Sequence, residues 1–167
     1  AAALWGTAAG RGPPHAFLPD GSGNRLFVVT FDAGPALHHD EDSAPHVCYM
    51  LESAARTHIP LTILGWGTSA HGPGTKLEAL ASFIHEHVLP EDVVLYNDVD
   101  VVFQLGPEVV VERFLEMRTD AVFGAECGGA SAPAGETPRE APCDLRLHTG
   151  SFMGRAGTVE ALFRRAL

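Results

Sequence analysis

The chain is predicted to fold as an α/β domain, a mainly parallel sheet flanked by helices on both sides. Three observations predict it. Short, almost continuously apolar runs rich in β-branched residues recur at "RLFVVTF" (25–31), "IPLTILG" (59–65), "DVVLYN" (92–97) and "DAVFGAE" (120–126). Segments with helical spacing separate them, so strands alternate with helices as in βαβ units. The composition, 46% hydrophobic and 19% charged over 167 residues, is that of one globular domain with a real core.

Residues 1–24 are rich in Ala, Gly and Pro and read as a loose lead-in. Their start, "AAALWGTAAG", is small and apolar without a basic leader. It is read as a tail, with the remnant of a signal or anchor as the alternative. The run 25–31 suits a strand buried on both faces. After a loop over 32–45, "HVCYMLESAART" (46–57) has helical spacing through Val47, Met50, Leu51 and Ala54. The strand over 59–65 leads into a loop, 66–74. A helix over 75–88 then places Leu77, Leu80, Phe83 and Ile84 on one face. The third strand, 92–97, precedes a helix over 107–118 with Pro107 near its start, where a missing N–H costs little. The fourth strand, 120–126, is followed by a Gly/Pro/Ala-rich loop over 127–146. A last helix opens at "TVEALFRRAL" (158–167).

Eleven basic against 21 acidic residues give a net charge of −10. That argues against a nucleic-acid binder, which presents clustered Lys and Arg to the phosphate backbone. It does not exclude a small phosphorylated ligand, because a bound divalent cation supplies positive charge locally. No apolar run approaches the ~18 residues of a transmembrane helix. The cysteines, Cys48, Cys127 and Cys143, have no zinc spacing. Cys127 and Cys143 either close the loop between them as a disulfide or stay free thiols. Cys48 reads as a buried small hydrophobe.

The stretch "EDVVLYNDVDVVFQLGP" (91–107) puts Asp98 and Asp100 at the carboxyl end of the third strand. Open α/β sheets bind ligands at that edge. Buried or half-buried carboxylates need a positive partner. Two of them one residue apart suit a hard divalent cation, Mn²⁺ or Mg²⁺, which can then bridge a diphosphate. The plain alternative is a surface turn with two solvated acids. Two chemistries use a strand ending in D-x-D. One is nucleotide-sugar transfer, in which the metal stabilises the departing diphosphate. The other is a haloacid-dehalogenase-like phosphatase, with the first Asp as nucleophile and the second as general acid. The second motif usually opens its fold, whereas here two βα units precede it.

The ordered series "RLFVVTF", "GPGTKLEALASFI", "VVLYNDVDVVFQLGPEVVVERF", "AVFGAEC" and "LHTGSFMGRAGTVEAL" resembles the glycosyltransferase domain of procollagen lysyl hydroxylases and related collagen glycosyltransferases. The resemblance spans residues 25–167 and implies a GT-A fold. It implies transfer of a sugar from a UDP-sugar, with Mn²⁺ or Mg²⁺, to a protein or glycan hydroxyl, in the lumen of the secretory pathway. By the same resemblance Thr30, with Phe31 and Asp32 beside it, falls near the uridine. Lys76 matches a family lysine and either steadies a phosphate or caps a helix. Asp98 and Asp100 take the metal, with Asn97 and Asp98 beside the nucleotide. Glu126, Gly150 and Ser151 stand near donor sugar or acceptor as the catalytic group.

Departures from the family pattern accompany these matches. The family motif is D-x-x-D, and its first Asp aligns with Asn97, a weaker ligand for a hard cation. The family's Asn-Ser-Gly-Gly reads here as His148, Thr149, Gly150 and Ser151. The family also carries an acidic segment after the last helix and a distant His metal ligand, and neither is present in these 167 residues. The resemblance therefore covers the amino-terminal, nucleotide-binding part of such a domain, or a shortened relative. A non-catalytic GT-A-like module is the alternative from another class.

Other residues carry less. His38 and His39 before Asp40, Glu41 and Asp42 read as a solvated loop rather than a metal loop. His85 and His87 are two apart on a helix and face different ways. Trp66 either stacks on a base or sugar or anchors its loop. Glu126, which ends the fourth strand, either orients a sugar or makes a loop hydrogen bond.

Overall fold

A computed structural model of the chain describes residues 12–33, 44–68, 73–127 and 145–166. The elements are β1 (Ala16–Phe17), β2 (Arg25–Phe31), α1 (Ala44–Arg56), β3 (Leu61–Leu64), α2 (Pro73–His87), β4 (Val93–Asn97), α3 (Pro107–Glu116), β5 (Ala121–Cys127), β6 (Leu145–Arg155) and α4 (Ala156–Ala166). The His38–His39 loop and Cys143 lie outside the described residues.

The strands form one six-stranded sheet in the order β1-β2-β4-β6-β5, with β3 also pairing with β2. The α/β class and the flanking helices are as expected. The mainly parallel sheet is not. β2 is parallel to β3 and β4, but β1 is antiparallel to β2, and β6 is antiparallel to both β4 and β5. Three of the five pairings are antiparallel, so the sheet is mixed. The reason is β6. The four expected strands do run in one direction, yet β6 enters in reverse between β4 and β5 and turns one parallel contact into two antiparallel ones.

The sequence pattern marks no strand over 145–155, because Gly150 and Gly154 interrupt its apolar positions and glycine is depleted in strands. Close packing accounts for Gly154. A Cβ there would lie 2.9 Å from Ala121 Cβ, the Asp120 carbonyl oxygen and Val159 Cγ2. Only glycine lets β5 and α4 approach β6 this closely.

Each face of the sheet carries its own core. On one, Leu26, Val28, Val93, Leu95 and Met153 pack with Met50 and Ala54 of α1 and with Val111 and Phe114 of α3. On the other, Phe27, Val29, Val94, Tyr96 and Phe152 pack with Leu80, Phe83 and Ile84 of α2 and with Val159 and Phe163 of α4. β2 and β4 are therefore covered on both sides, which is why they read as unbroken apolar runs. α3 begins with Pro107 after Gly106, as its sequence predicts. α1 departs from expectation at two positions. Leu51 is exposed, and so is Cys48, a free thiol rather than a buried hydrophobe. The buried stripe of α1 is Val47, Met50 and Ala54, and Cys48 sits one residue off it.

The segment expected as lead-in also contributes. Ala16 and Phe17 pair with Leu26 and Arg25, and Leu18 is buried in the α1/α3 core. Asp92 fastens this end of the sheet. Its carboxylate accepts hydrogen bonds from the Arg25 backbone N–H at 2.8 Å, from Arg25 Nε at 3.1 Å and Nη2 at 2.6 Å, and from the Leu89 N–H at 3.0 Å. Its carbonyl accepts the Ala156 N–H at 2.8 Å, at the first residue of α4. Asp92 is 1% exposed. Its removal would leave a half-buried guanidinium without its counter-charge, so Asp92→Ala should lower stability by about 3 kcal/mol. Urea denaturation measures this, and a loss within error of zero would show that the tie is not structural.

Candidate functional site

β4 stops at Asn97, and the chain turns. The Asp98 N–H donates to the Gly150 carbonyl of β6 at 2.7 Å, fixing the start of the turn. Five residues on, Phe103 is buried in the α1/α3 core, and its N–H donates to Ser53 Oγ of α1 at 3.0 Å. Ser53 Oγ in turn donates to the Met50 carbonyl at 2.9 Å. The acidic turn is thus held at both ends while its middle reaches solvent, where Asp100 is exposed.

Asp98 has positive and polar partners within the chain. Its Oδ1 accepts from Lys76 Nζ, in an ion pair, and from the Tyr96 hydroxyl at 2.7 Å. Lys76 Nζ also stands 4.9 Å from the centroid of the Tyr96 ring, a cation–π contact. Tyr96 is fully buried and stacks on Phe152 of β6, with centroids 5.3 Å apart and planes 17° from parallel. Burial pushes its hydroxyl pKa far above the usual 10.0. The hydrogen bond it gives to Asp98 and the Asp98 charge push it further, the Phe31 backbone opposes, and the Asp100 charge adds to the rise. The phenol is therefore a permanent donor, aimed at Asp98 from a rigid seat. Period-two alternation could have revealed Tyr96, since residues two apart on a strand share a face and Tyr96 carries the only hydroxyl in β4. Nothing in sequence marks Ser53.

Gly150 lies against the other carboxylate oxygen. A Cβ there would overlap Asp98 Oδ2 and the His148 ring. The β5–β6 ladder is irregular at this level, because Phe123 pairs with Phe152 but the next residue, Gly124, pairs with His148. Residues 149–151 of β6 are left off the ladder beside the acidic turn. Bulges of this kind re-aim backbone and side chains near sites. One of these residues, Ser151, still pairs with Asn97 of β4 and donates through Oγ to Asn97 Oδ1 at 2.7 Å, and Asn97 is 6% exposed. Asn97 thus spends its oxygen on Ser151.

The expected nucleotide-side residues sit at the carboxyl end of β2, the neighbour of β4. Thr30 is fully buried, and its Oγ1 has no hydrogen-bond partner among the described residues. Phe31, with Gly65, Thr68, Thr75 and Glu78, lines a cavity of about 270 Å³ between the ends of β2 and β3 and the first half of α2. Asp32 follows, buried, with its N–H donating to the Leu64 carbonyl at 2.9 Å. Trp66 is half-buried in the turn after β3.

The structure brings Lys76, Asp98 and Gly150 to one point, adds Tyr96, and sets Asn97 with Ser151 beside them. Thr30 and Phe31 stand on the adjoining strand. Glu126 is farther out on β5, opposite Arg146 in the β5–β6 register. His85 pairs instead with Glu160 of α4, at 3.1 Å. Among the described residues no three His, Cys, Asp or Glu side chains converge as a self-sufficient metal site. No helix among them is long and apolar enough to cross a membrane.

No protein-family model matches this chain, and no curated protein matches it.

Tyr96 carries a pH prediction. Its folded pKa lies above the unfolded value of 10.0, so between the two the unfolded chain loses a proton that the folded chain keeps. This contribution to stability is complete below pH 10 and declines above it, by about 1.4 kcal/mol per pH unit. Tyr96→Phe should remove that decline. Urea midpoints from pH 8 to 11 compare the two proteins, and parallel alkaline profiles would contradict the assignment.

Proposed function

We propose that this chain is a glycosyltransferase domain of the GT-A kind that takes a sugar from a UDP-sugar to a protein or glycan hydroxyl. The observation that carries the proposal is the meeting of Lys76, Tyr96, Asp98 and Gly150 at the carboxyl ends of parallel strands β2 and β4. That is the edge at which α/β sheets bind nucleotides. Lys76 brings a cation there for a diphosphate.

The residues also fit a divalent cation of the kind the resemblance implies. Mn²⁺ or Mg²⁺ bound by one or two carboxylates completes its shell with water and phosphate oxygens, so a full protein cage is not required. Asp98 and Asp100 would hold it, and the missing Cβ of Gly150 is what makes room for the Asp98 carboxylate at this point. When bound, the metal would supply Lewis-acid stabilisation of the departing diphosphate. The chain's own groups do the rest. Tyr96 fixes the Asp98 carboxylate, Thr30 and Phe31 flank the nucleoside, and Lys76 meets phosphate charge. Gly150, Ser151 and Glu126 belong to the sugar and acceptor side. Such a site works by positioning reactants and stabilising charge, and no side chain is assigned as nucleophile.

One observation favours a non-catalytic module instead: the Asp98 charge is already met internally by Lys76. Calorimetric titration with UDP separates the readings. The transferase reading expects UDP to bind at least ten-fold more tightly with Mn²⁺ than with EDTA, and Asp100→Ala to lose that gain. A folded protein that binds no UDP in either buffer would end the transferase reading and leave the module.

A further inference from the structure

Asp98 Oδ1 holds two donors of different character. The Tyr96 hydroxyl comes from a fully buried ring clamped between β6 and its own strand, so it cannot leave. Lys76 Nζ arrives on a flexible four-carbon stem, and the side chain is a quarter exposed. It is the part of the arrangement that can move. Its surroundings also supply a reason to move. Lys76 lies in the first turn of α2, a 15-residue helix with no acidic residue in that turn. The positive helix end therefore disfavours an ammonium there unless an anion is at hand. Asp98 and the face of the Tyr96 ring are what hold it.

A divalent cation brought to Asp98 meets this resident ammonium as a like charge on the same carboxylate. A diphosphate brought to the same edge offers Lys76 a second anionic partner. From this we infer that Lys76 is the built-in counter-ion of Asp98: it keeps the cation's place until a diphosphate draws it off, so that divalent cation and diphosphate bind with positive coupling. The coupling is reciprocal, each ligand strengthening the other by the same factor. The inference rests on the nucleotide-sugar reading for its diphosphate, but not for its first half, the competition between Lys76 and metal at Asp98. Lys76 is here a positioning residue. A lysine that only capped α2 or only touched phosphate would not weaken metal binding in the absence of nucleotide.

The test uses Mn²⁺ alone, followed by electron paramagnetic resonance as the free ion's signal is lost on binding. Lys76→Met keeps the apolar stem and removes the charge. It should bind Mn²⁺ at least ten-fold more tightly than the native chain. Lys76→Gln should behave likewise and serves if the first variant does not fold. Adding Asp98→Asn to either should abolish the gain, which assigns it to that carboxylate. Equal or weaker Mn²⁺ binding by both single variants overturns the inference, as does a gain that survives Asp98→Asn. Because no nucleotide is present, this result is independent of whether UDP binds.

Discussion

β4 is the strand on which the molecule turns, and a carboxylate stands at each of its ends. At the amino end Asp92 is sealed from solvent and fully committed, tying β2 through Arg25 and the start of α4 through its carbonyl. At the carboxyl end Asp98 is 37% exposed at its side chain and shares one oxygen between a fixed phenol and a movable ammonium. The first acid is satisfied by geometry that only unfolding can undo. The second is satisfied by a partner that solvent or a ligand can take away. Burial makes the difference, because a screened, half-exposed ion pair is worth far less than one held inside. The five buried residues between them, Val93 to Asn97, transmit the rigidity of the first end to the position of the second.

Much of this architecture was legible in the chain. β2 and β4 are covered on both faces, so their apolar runs stand out from any neighbour. The helices show their stripes, and Pro107 marks the start of α3. β6 was not legible. Its place in the sheet depends on what glycine permits, the close approach of β5 and α4 at Gly154 and of Asp98 at Gly150. Glycine writes nothing into a pattern of hydrophobicity. Missing that one strand was enough to turn a mixed sheet into a mainly parallel one. Leu51 and Cys48 fell on the wrong side for a smaller reason: a helix rotated by part of a turn exchanges edge residues of its stripe.

The site divides along the same line. Asp98 could be singled out as an acid at the end of an apolar strand, whereas Lys76, Thr30 and Gly150 were marked by the family resemblance. What joins them could not be read. The sequence separation of Lys76 and Asp98 says nothing about an ion pair, and the role of Ser53 in bracing the acidic turn follows only from the packing of Phe103 against α1. Asn97, placed beside the nucleotide by the resemblance, is buried and its oxygen accepts a hydrogen bond from Ser151, a partner the sequence does not reveal. An acid motif is thus better judged by which of its oxygens the fold has already spent than by its spelling.

The register break opposite Phe123 and Gly124 reaches past these local contacts. β4 ends opposite Ser151, so among the described residues, positions 145–148 of β6 pair with β5 alone. Beyond the break the two strands continue as a paired ribbon, with Leu147 largely in water. Evolution or a protein engineer can lengthen, shorten or rewrite such a ribbon cheaply. The rim beside Asp98 would change shape while the scaffold that aims Asp98 stayed as it is.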